Sequence, residues 1–285
     1  MIRKTLKIAG IIFIIFVLLF IILATIYYPA VKKLYLGNEV IHSDSALTIY
    51  LGGGGNSVVL NTDAALLVVD TKFGKAADRL YRAVSAQAGN KPIIVVNTHS
   101  DLDHTGGNLL YKNARIISGQ VLEDYWISAN KGKEGMPSVW VTDTLNLLLG
   151  DENVLLISMG QSHTWCDVVV YFPNRELLVT GDLVFNGINT FFEEKKGSNG
   201  LKSIEALKKL EAFPEVQMVV PGHGAPGGRE LITTMRTYLE DMAMAAENPE
   251  KEKAIRKKYR KLVAMPGVSS TAIVVDYFRK NPNDL

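Results

Sequence analysis

Thr98-His99-Ser100-Asp101-Leu102-Asp103-His104-Thr105-Gly106-Gly107 follows the apolar run Ile93-Ile94-Val95-Val96 and packs two histidines and two aspartates into six positions. A β-rich buried strand that ends in such a turn can bring several imidazoles and carboxylates to one point. These are the donors that zinc, manganese and iron sites use. The chain has five histidines. His42 lies in no motif, whereas His99, His104, His163 and His223 each sit in or just after a strand-end loop beside Gly, Thr or Asp.

Outward from this stretch, the segments SALTIYLG, NSVVLNT and AALLVVDT (residues 45–71) predict an antiparallel opening broken by Gly, Asn and Asp turns. FGKAADRLYRAVSAQAG (73–89) has helical apolar spacing, and KPIIVVNTH (91–99) delivers the cluster. The pattern recurs in ARIISG, VLLISM, DVVVYFP, ELLVTGD and VQMVVPGHG, with a helix predicted over LKSIEALKKLEAF (201–213). Strands from both halves end in polar, histidine-bearing loops, so an α/β domain with its site along one rim of the sheets is expected.

The order of these pieces resembles the metallo-β-lactamase-fold superfamily, whose signature is a strand ending in T-H-x-H-x-D-H-x-G-G. Four further pieces agree in chain order: the strand ending at Asp70, GQSHT with His163, ELLVTGD with Asp182, and VVPGHG with His223. The resemblance spans residues 46–228. It implies an αβ/βα four-layer sandwich with two divalent metal ions, zinc first among them. His99, Asp101 and His163 would hold one ion and Asp103, His104 and His223 the other, with Asp182 bridging. It also implies catalytic roles for Asp103 and His104 around a metal hydroxide that attacks a carbonyl or phosphoryl centre, since two cations bring the pKa of bound water down to about 7.

Asp101 departs from the pattern, because the family usually has histidine there. An anionic oxygen in place of a neutral nitrogen moves metal preference towards iron or manganese. The family's diiron flavoproteins carry glutamate at this place, though only about sixty residues follow His223 here, too few for their flavin domain. Asp182 stands where one main subclass of true β-lactamases has cysteine, and Phe185 where they have a carboxylate-pairing lysine. The expectation is therefore a hydrolase of an ester, thioester, amide or related bond in a small molecule. A non-haem iron oxidoreductase of the same fold and a non-catalytic metal-binding domain are the alternatives. Asp70 is expected beside the metal ligands. Asn56, Phe185, Phe191 and Phe192 are read as residues behind the ligands, substrate contacts or a lid, with packing under the following helix as the alternative for the last two. Cys166 reads as a packing residue.

Composition bounds these readings. With 285 residues, 47% of them hydrophobic, and a net charge of +2, the chain can bury a large core and offers little steering of nucleic acid, which is not expected as a partner. Ile8 to Tyr28 carries no charge and would span roughly 30 Å as a helix. The expected organisation is a transmembrane anchor over 1–28, a linker over 29–45 and the catalytic domain over 46–285. Arg3, Lys4 and Lys7 before the span against Lys32 and Lys33 after it favour a cytoplasmic N-terminus, hence a single-pass protein with its domain on the extracytoplasmic side.

Overall fold

Two sheets stack face to face, and the loops at one end of the stack carry every histidine of the opening argument except His42. The computed structural model describes residues 10–25, 28, 39–130, 132–213, 215–264 and 268–282. Residues 10–25 form a helix, α1. The first sheet follows chain order: β1 (Glu39–Ser43), β2 (Leu47–Leu51), β3 (Ser57–Asn61), β4 (Leu66–Val69), β5 (Ile93–Asn97), β6 (Arg115–Gly119) and β7 (Val139–Val141). Its first four strands pair antiparallel, as expected for a segment joined by short turns, and β4 to β7 pair parallel. The first parallel step needs a crossover, supplied by α2 (Gly74–Ala88), whose Ala77, Leu80, Val84 and Ala88 are buried at helical spacing. The short α3 (Leu102–Thr105) follows β5, and α4 (Glu123–Asn130) follows β6.

The second sheet has the spatial order β12-β11-β10-β9-β8, made of β8 (Thr144–Leu149), β9 (Glu152–Gly160), β10 (Asp167–Phe172), β11 (Leu177–Phe185) and β12 (Met218–His223). Only β11 and β12 pair parallel, through α5 (Gly200–Glu211). Ile49, Leu67 and Val96 of the first sheet meet Leu156, Val170 and Val220 of the second between the layers. Outside the first sheet, Val68 and Val95 pack on Leu80 and Val84 of α2. Outside the second, α5, α6 (Glu230–Glu247) and α8 (Thr271–Lys280) cover Val169, Leu178 and Val219, while α7 (Pro249–Lys258) adds Ile255 to that cluster. The result is the expected helix-sheet-sheet-helix sandwich. Each fully buried Val or Leu contributes about 1.5–3 kcal/mol of transfer free energy.

Two expectations change. Glu39–Ser43, read as linker, is an edge strand paired antiparallel with β2. Val40 and Ile41 remain exposed, so what makes it a strand is the free edge of β2 rather than an apolar face of its own. The membrane span read over 8–28 is not supported: among the described residues no helix is long and apolar enough to cross a membrane. Residues 8, 9, 26 and 27 lie outside the described part. The apolar side chains of α1 are exposed.

A buried lysine fixes the rim next to the site. β4 runs into Asp70-Thr71-Lys72, where Asp70 and Lys72 adopt left-handed backbone, φ 60° and 61°. Lys72 is fully buried, and its Nζ donates to the carbonyls of Tyr50 (3.2 Å), Gly52 (2.6 Å) and Gly55 (2.7 Å). These acceptors span the glycine run that the sequence shows only as a turn. Lys72→Met should leave them without a donor, costing about 3 kcal/mol and lowering the melting temperature by roughly 6–12 °C. An unchanged melting temperature would show that Lys72 does not hold the loop.

Candidate metal centre

The rim site takes its side chains from strand ends of both sheets. β5 leads to His99, Asp101, Asp103 and His104. The loop between β9 and β10 carries His163, β11 carries Asp182, and β12 ends at His223. His99, His163 and Asp182 place one donor atom each within 4.8 Å of one another, and so do Asp103, His104 and His223. Asp182 stands between the groups. One of its oxygens lies 3.2 Å from His104 Nε2, and the other 3.4 Å from His223 Nε2, 3.5 Å from His163 Nε2 and 3.8 Å from His99 Nε2. Asp101 joins with Oδ2 at 3.7 Å from His163 Nε2 and 3.9 Å from His99 Nε2.

Backbone approach makes this convergence feasible. A Cβ on Gly55 would lie 2.1 Å from His104 Cε1, and one on Gly222 would lie 1.9 Å from Asp182 Oδ1. Gly55 N–H donates to Asp103 O (3.1 Å) within the rim of the first sheet, and the two sheets are stitched together by Asn56 N–H to Gly222 O (2.7 Å) and Val168 N–H to Thr98 O (2.7 Å).

Asp70 sets the imidazoles' protons. Its Oδ2 accepts from His104 Nδ1 (2.7 Å) and from the Thr98 hydroxyl (2.8 Å), and its Oδ1 accepts from Thr98 N–H (2.8 Å). With its proton committed to Asp70, the Thr98 hydroxyl oxygen can only accept from His99 Nδ1, 2.9 Å away. Both rings therefore carry hydrogen on Nδ1 and turn Nε2 inward, the nitrogen that a cation would take in place of any proton there. Those two Nε2 atoms and both Asp182 oxygens are buried without a completed hydrogen bond. Four orphaned donor atoms converging in one place are costly unless a cation satisfies them.

Charge says the same. Burial alone would depress the pKa of His104, but the carboxylates of Asp182, Asp70 and Asp103 outweigh it and hold the ring well above its ordinary value. His223 is pushed up to about 9 against burial by Asp182 and Asp103. His99, buried and next to His104, falls to about 4. Asp182, despite burial, is held well below the carboxylate range by His223, His104 and His99. The carboxylates draw positive charge into the cluster, and protons on imidazoles are a poor substitute for a divalent ion.

The sequence model of the metallo-beta-lactamase superfamily matches residues 50–223, which covers all of these side chains. The chain belongs to the metallo-beta-lactamase superfamily. It is 28% identical over 178 residues to a metallo-beta-lactamase type 2 of Elizabethkingia meningoseptica, covering 59% of this chain and 68% of that protein. It is also 28% identical over 136 residues to the alpha subunit of a 2,4-dinitroanisole O-demethylase of Nocardioides, covering 46% of this chain and 42% of that one. Among solved structures, a metallo-beta-lactamase from Pontibacter korlensis superposes with a TM-score of 0.61 at 21% identity, covering 71% of this chain and 98% of that chain. That likeness is one of fold.

Within this superfamily fold the other expected contacts separate. Asn56 stands behind His223. It is buried, and its amide nitrogen donates to Pro221 O (2.8 Å) and Gly224 O (2.7 Å), bracketing His223. Phe185 stacks on His223, with ring centres 5.3 Å apart and planes 12° apart, and Phe191 meets His163 edge-on at 5.2 Å. Phe192 turns away and stacks on Tyr277 at 4.5 Å, packing under α8 rather than lining the site. Cys166 is buried, which pushes its thiol up to about 12, so it supplies no nucleophile. Lys196, which the sequence reading passed over, reaches Asp101 Oδ1 at 3.3 Å. It lies in the run Glu193-Glu194-Lys195-Lys196, whose two acids and two bases are those of any solvated loop.

Proposed function

We propose that the chain is a metal-dependent hydrolase that holds two divalent cations and cleaves an ester, thioester, amide or related bond in a small molecule. The observation that carries this reading is the convergence of His99 Nε2, His104 Nε2 and both Asp182 oxygens, buried and unsatisfied, inside a ring of further imidazoles and carboxylates. His99, His163 and Asp182, with Asp101 beside them, would hold one ion. Asp103, His104 and His223 would hold the other, with Asp182 shared. Nitrogen donors favour zinc, and the oxygen of Asp101 keeps iron and manganese in play. When bound, the ions supply an acidified water and a Lewis acid for the substrate's oxygen.

The chain's own residues do the rest. Asp70 and Thr98 keep His99 and His104 in the required tautomer. Phe185 and Phe191 wall the side next to His163 and His223 and keep water from it. Asp103 is the ligand that also faces solvent, its side chain 25% exposed and its Oδ2 3.2 Å from His223 Nε2. That placement suits it to carry a proton to a leaving group. β-Lactam hydrolysis is a second reading, favoured by the name of the Elizabethkingia relative. An apolar Phe185 over His223 counts against it, because no cation stands there for a substrate carboxylate. Placement of the domain on the extracytoplasmic side of a membrane belongs to the same proposal and rests on the uncharged run 8–28 with Arg3, Lys4 and Lys7 ahead of it.

Elemental analysis of the full chain, purified without added metal, tests the reading together with an ester, thioester, amide and β-lactam panel. Two zinc or manganese per chain with chelator-sensitive hydrolysis is the expected result. Two iron and no hydrolysis would favour the oxidoreductase alternative, and no metal at all would sink the proposal. Uptake of cation by the stripped chain should release protons at pH 7, because His104 and His223 hold them there. A proton on a ligand blocks the metal, so affinity falls as pH drops and rises through about pH 9, where His223 is half deprotonated. Calorimetry in two buffers of different ionisation enthalpy reads the proton count directly.

A further inference from the structure

Asp101 gives the cluster a third carboxylate beside the paired metal positions, and the structure supplies its counter-charge. Lys196 closes the short 3-10 turn Glu194–Lys196 and brings Nζ to 3.3 Å from Asp101 Oδ1, while Asp101 Oδ2 faces the imidazoles of His163 and His99. One carboxylate is thus shared between an ammonium on one side and the metal pocket on the other. Asp101 is 3% exposed and the Lys196 side chain 30%, so water screens this contact less than it would a surface pair.

The lysine is held in place by more than its own charge. Trp165 N–H donates to Lys196 O (3.0 Å) and Gln161 Nε2 to Gly197 O (3.0 Å), and the Ser198 hydroxyl donates to His163 O (2.6 Å). A Cβ on Gly197 would lie 2.3 Å from the Trp165 ring, so the turn sits flush against the loop that carries His163. Lys196 has one competing partner, Glu193 Oε2 at 2.9 Å, on the solvent side.

We propose that Lys196 is a positioning residue that cancels the charge of Asp101, so that the pair presents to a cation the net charge of a single neutral ligand. This rests on the reading that the cluster binds divalent cations. With Lys196 in place, the charge that a pair of cations meets is set by Asp103 and Asp182. Without it, three carboxylates act together. The departure at Asp101 and the lysine are then one device with two parts.

The test is a double-mutant cycle on the metal-stripped full chain, titrated with Mn²⁺ and with Zn²⁺ by calorimetry. Lys196→Met should tighten cation binding about tenfold or more, the scale expected when a unit charge close to a dication is removed. Lys196→Arg should keep the wild-type affinity. In the isosteric Asp101→Asn background the lysine has lost its carboxylate and pairs with Glu193, so adding Lys196→Met should change affinity by less than about twofold. Equal effects of Lys196→Met in both backgrounds, or none in the wild type, would overturn the pairing while leaving the metal reading intact. A wild-type chain that binds neither cation would overturn both.

Discussion

Asp182→Asn should strip the chain of both cations and abolish hydrolysis while leaving it folded. Asp182 is the one side chain within 4 Å of all four site imidazoles, and its side chain is fully buried with neither oxygen in a completed hydrogen bond. In the metal-free chain that carboxylate is a net burden, so an isosteric amide costs the fold little. In the loaded chain it would be shared by both positions. Losing a group that merely orients a metal ligand typically costs 10–100-fold in affinity, so losing the shared ligand itself should cost more than about 100-fold. Metal content after gel filtration, circular dichroism and turnover on the panel give the three readouts together. A folded variant that keeps two cations per chain would falsify the bridging role.

The second large effect comes from a glycine. In Gly55→Ala the new Cβ would sit 2.1 Å from His104 Cε1 and 2.5 Å from Nε2. Neither side can yield. The His104 ring is tied through Nδ1 to Asp70, while Gly55 is tied through its carbonyl to Lys72 and through its N–H to Asp103. Overpacking of this kind costs about 3 kcal/mol or more when the surroundings are rigid. The melting temperature should fall by roughly 6–12 °C, and cation binding at the Asp103, His104 and His223 position should be lost. Gly132→Ala, where an added Cβ meets nothing within 4 Å, is the control and should change neither. A Gly55→Ala chain that melts and binds like the wild type would mean that the ring has room the structure denies it.

What could be read from the sequence follows from how local each feature is. The ligands around His99 lie on one turn after a β-branched strand, so residue order alone brings them together. His163, Asp182 and His223 were placed by their order in a family pattern, because they meet only once two sheets have stacked. Lys196 follows Asp101 by 95 positions and sits in a loop of mixed charge, so nothing short of the fold could pair them. The partners of Asn56 were out of reach for the same reason: after a glycine run it reads as part of a turn, and Pro221 and Gly224 lie in and just after β12 of the far sheet. The edge strand β1 was missed because its pairing, not its composition, defines it. α6 is a different case, since its Ile232, Met235, Leu239 and Met242 form a stripe at helical spacing that was there to be read.

Each three-donor group draws from both sheets: His99 with His163 and Asp182, and Asp103 and His104 with His223. A bound ion would therefore also be a rivet between the two layers, fastened at the rim. Its binding energy counts towards holding the sandwich together. A thousandfold excess of free cation over its dissociation constant adds about 4 kcal/mol to stability, which is of the same order as the whole margin by which many domains stay folded. The supply of metal in the surroundings would then govern how long the folded chain survives proteases, and not only whether it turns over.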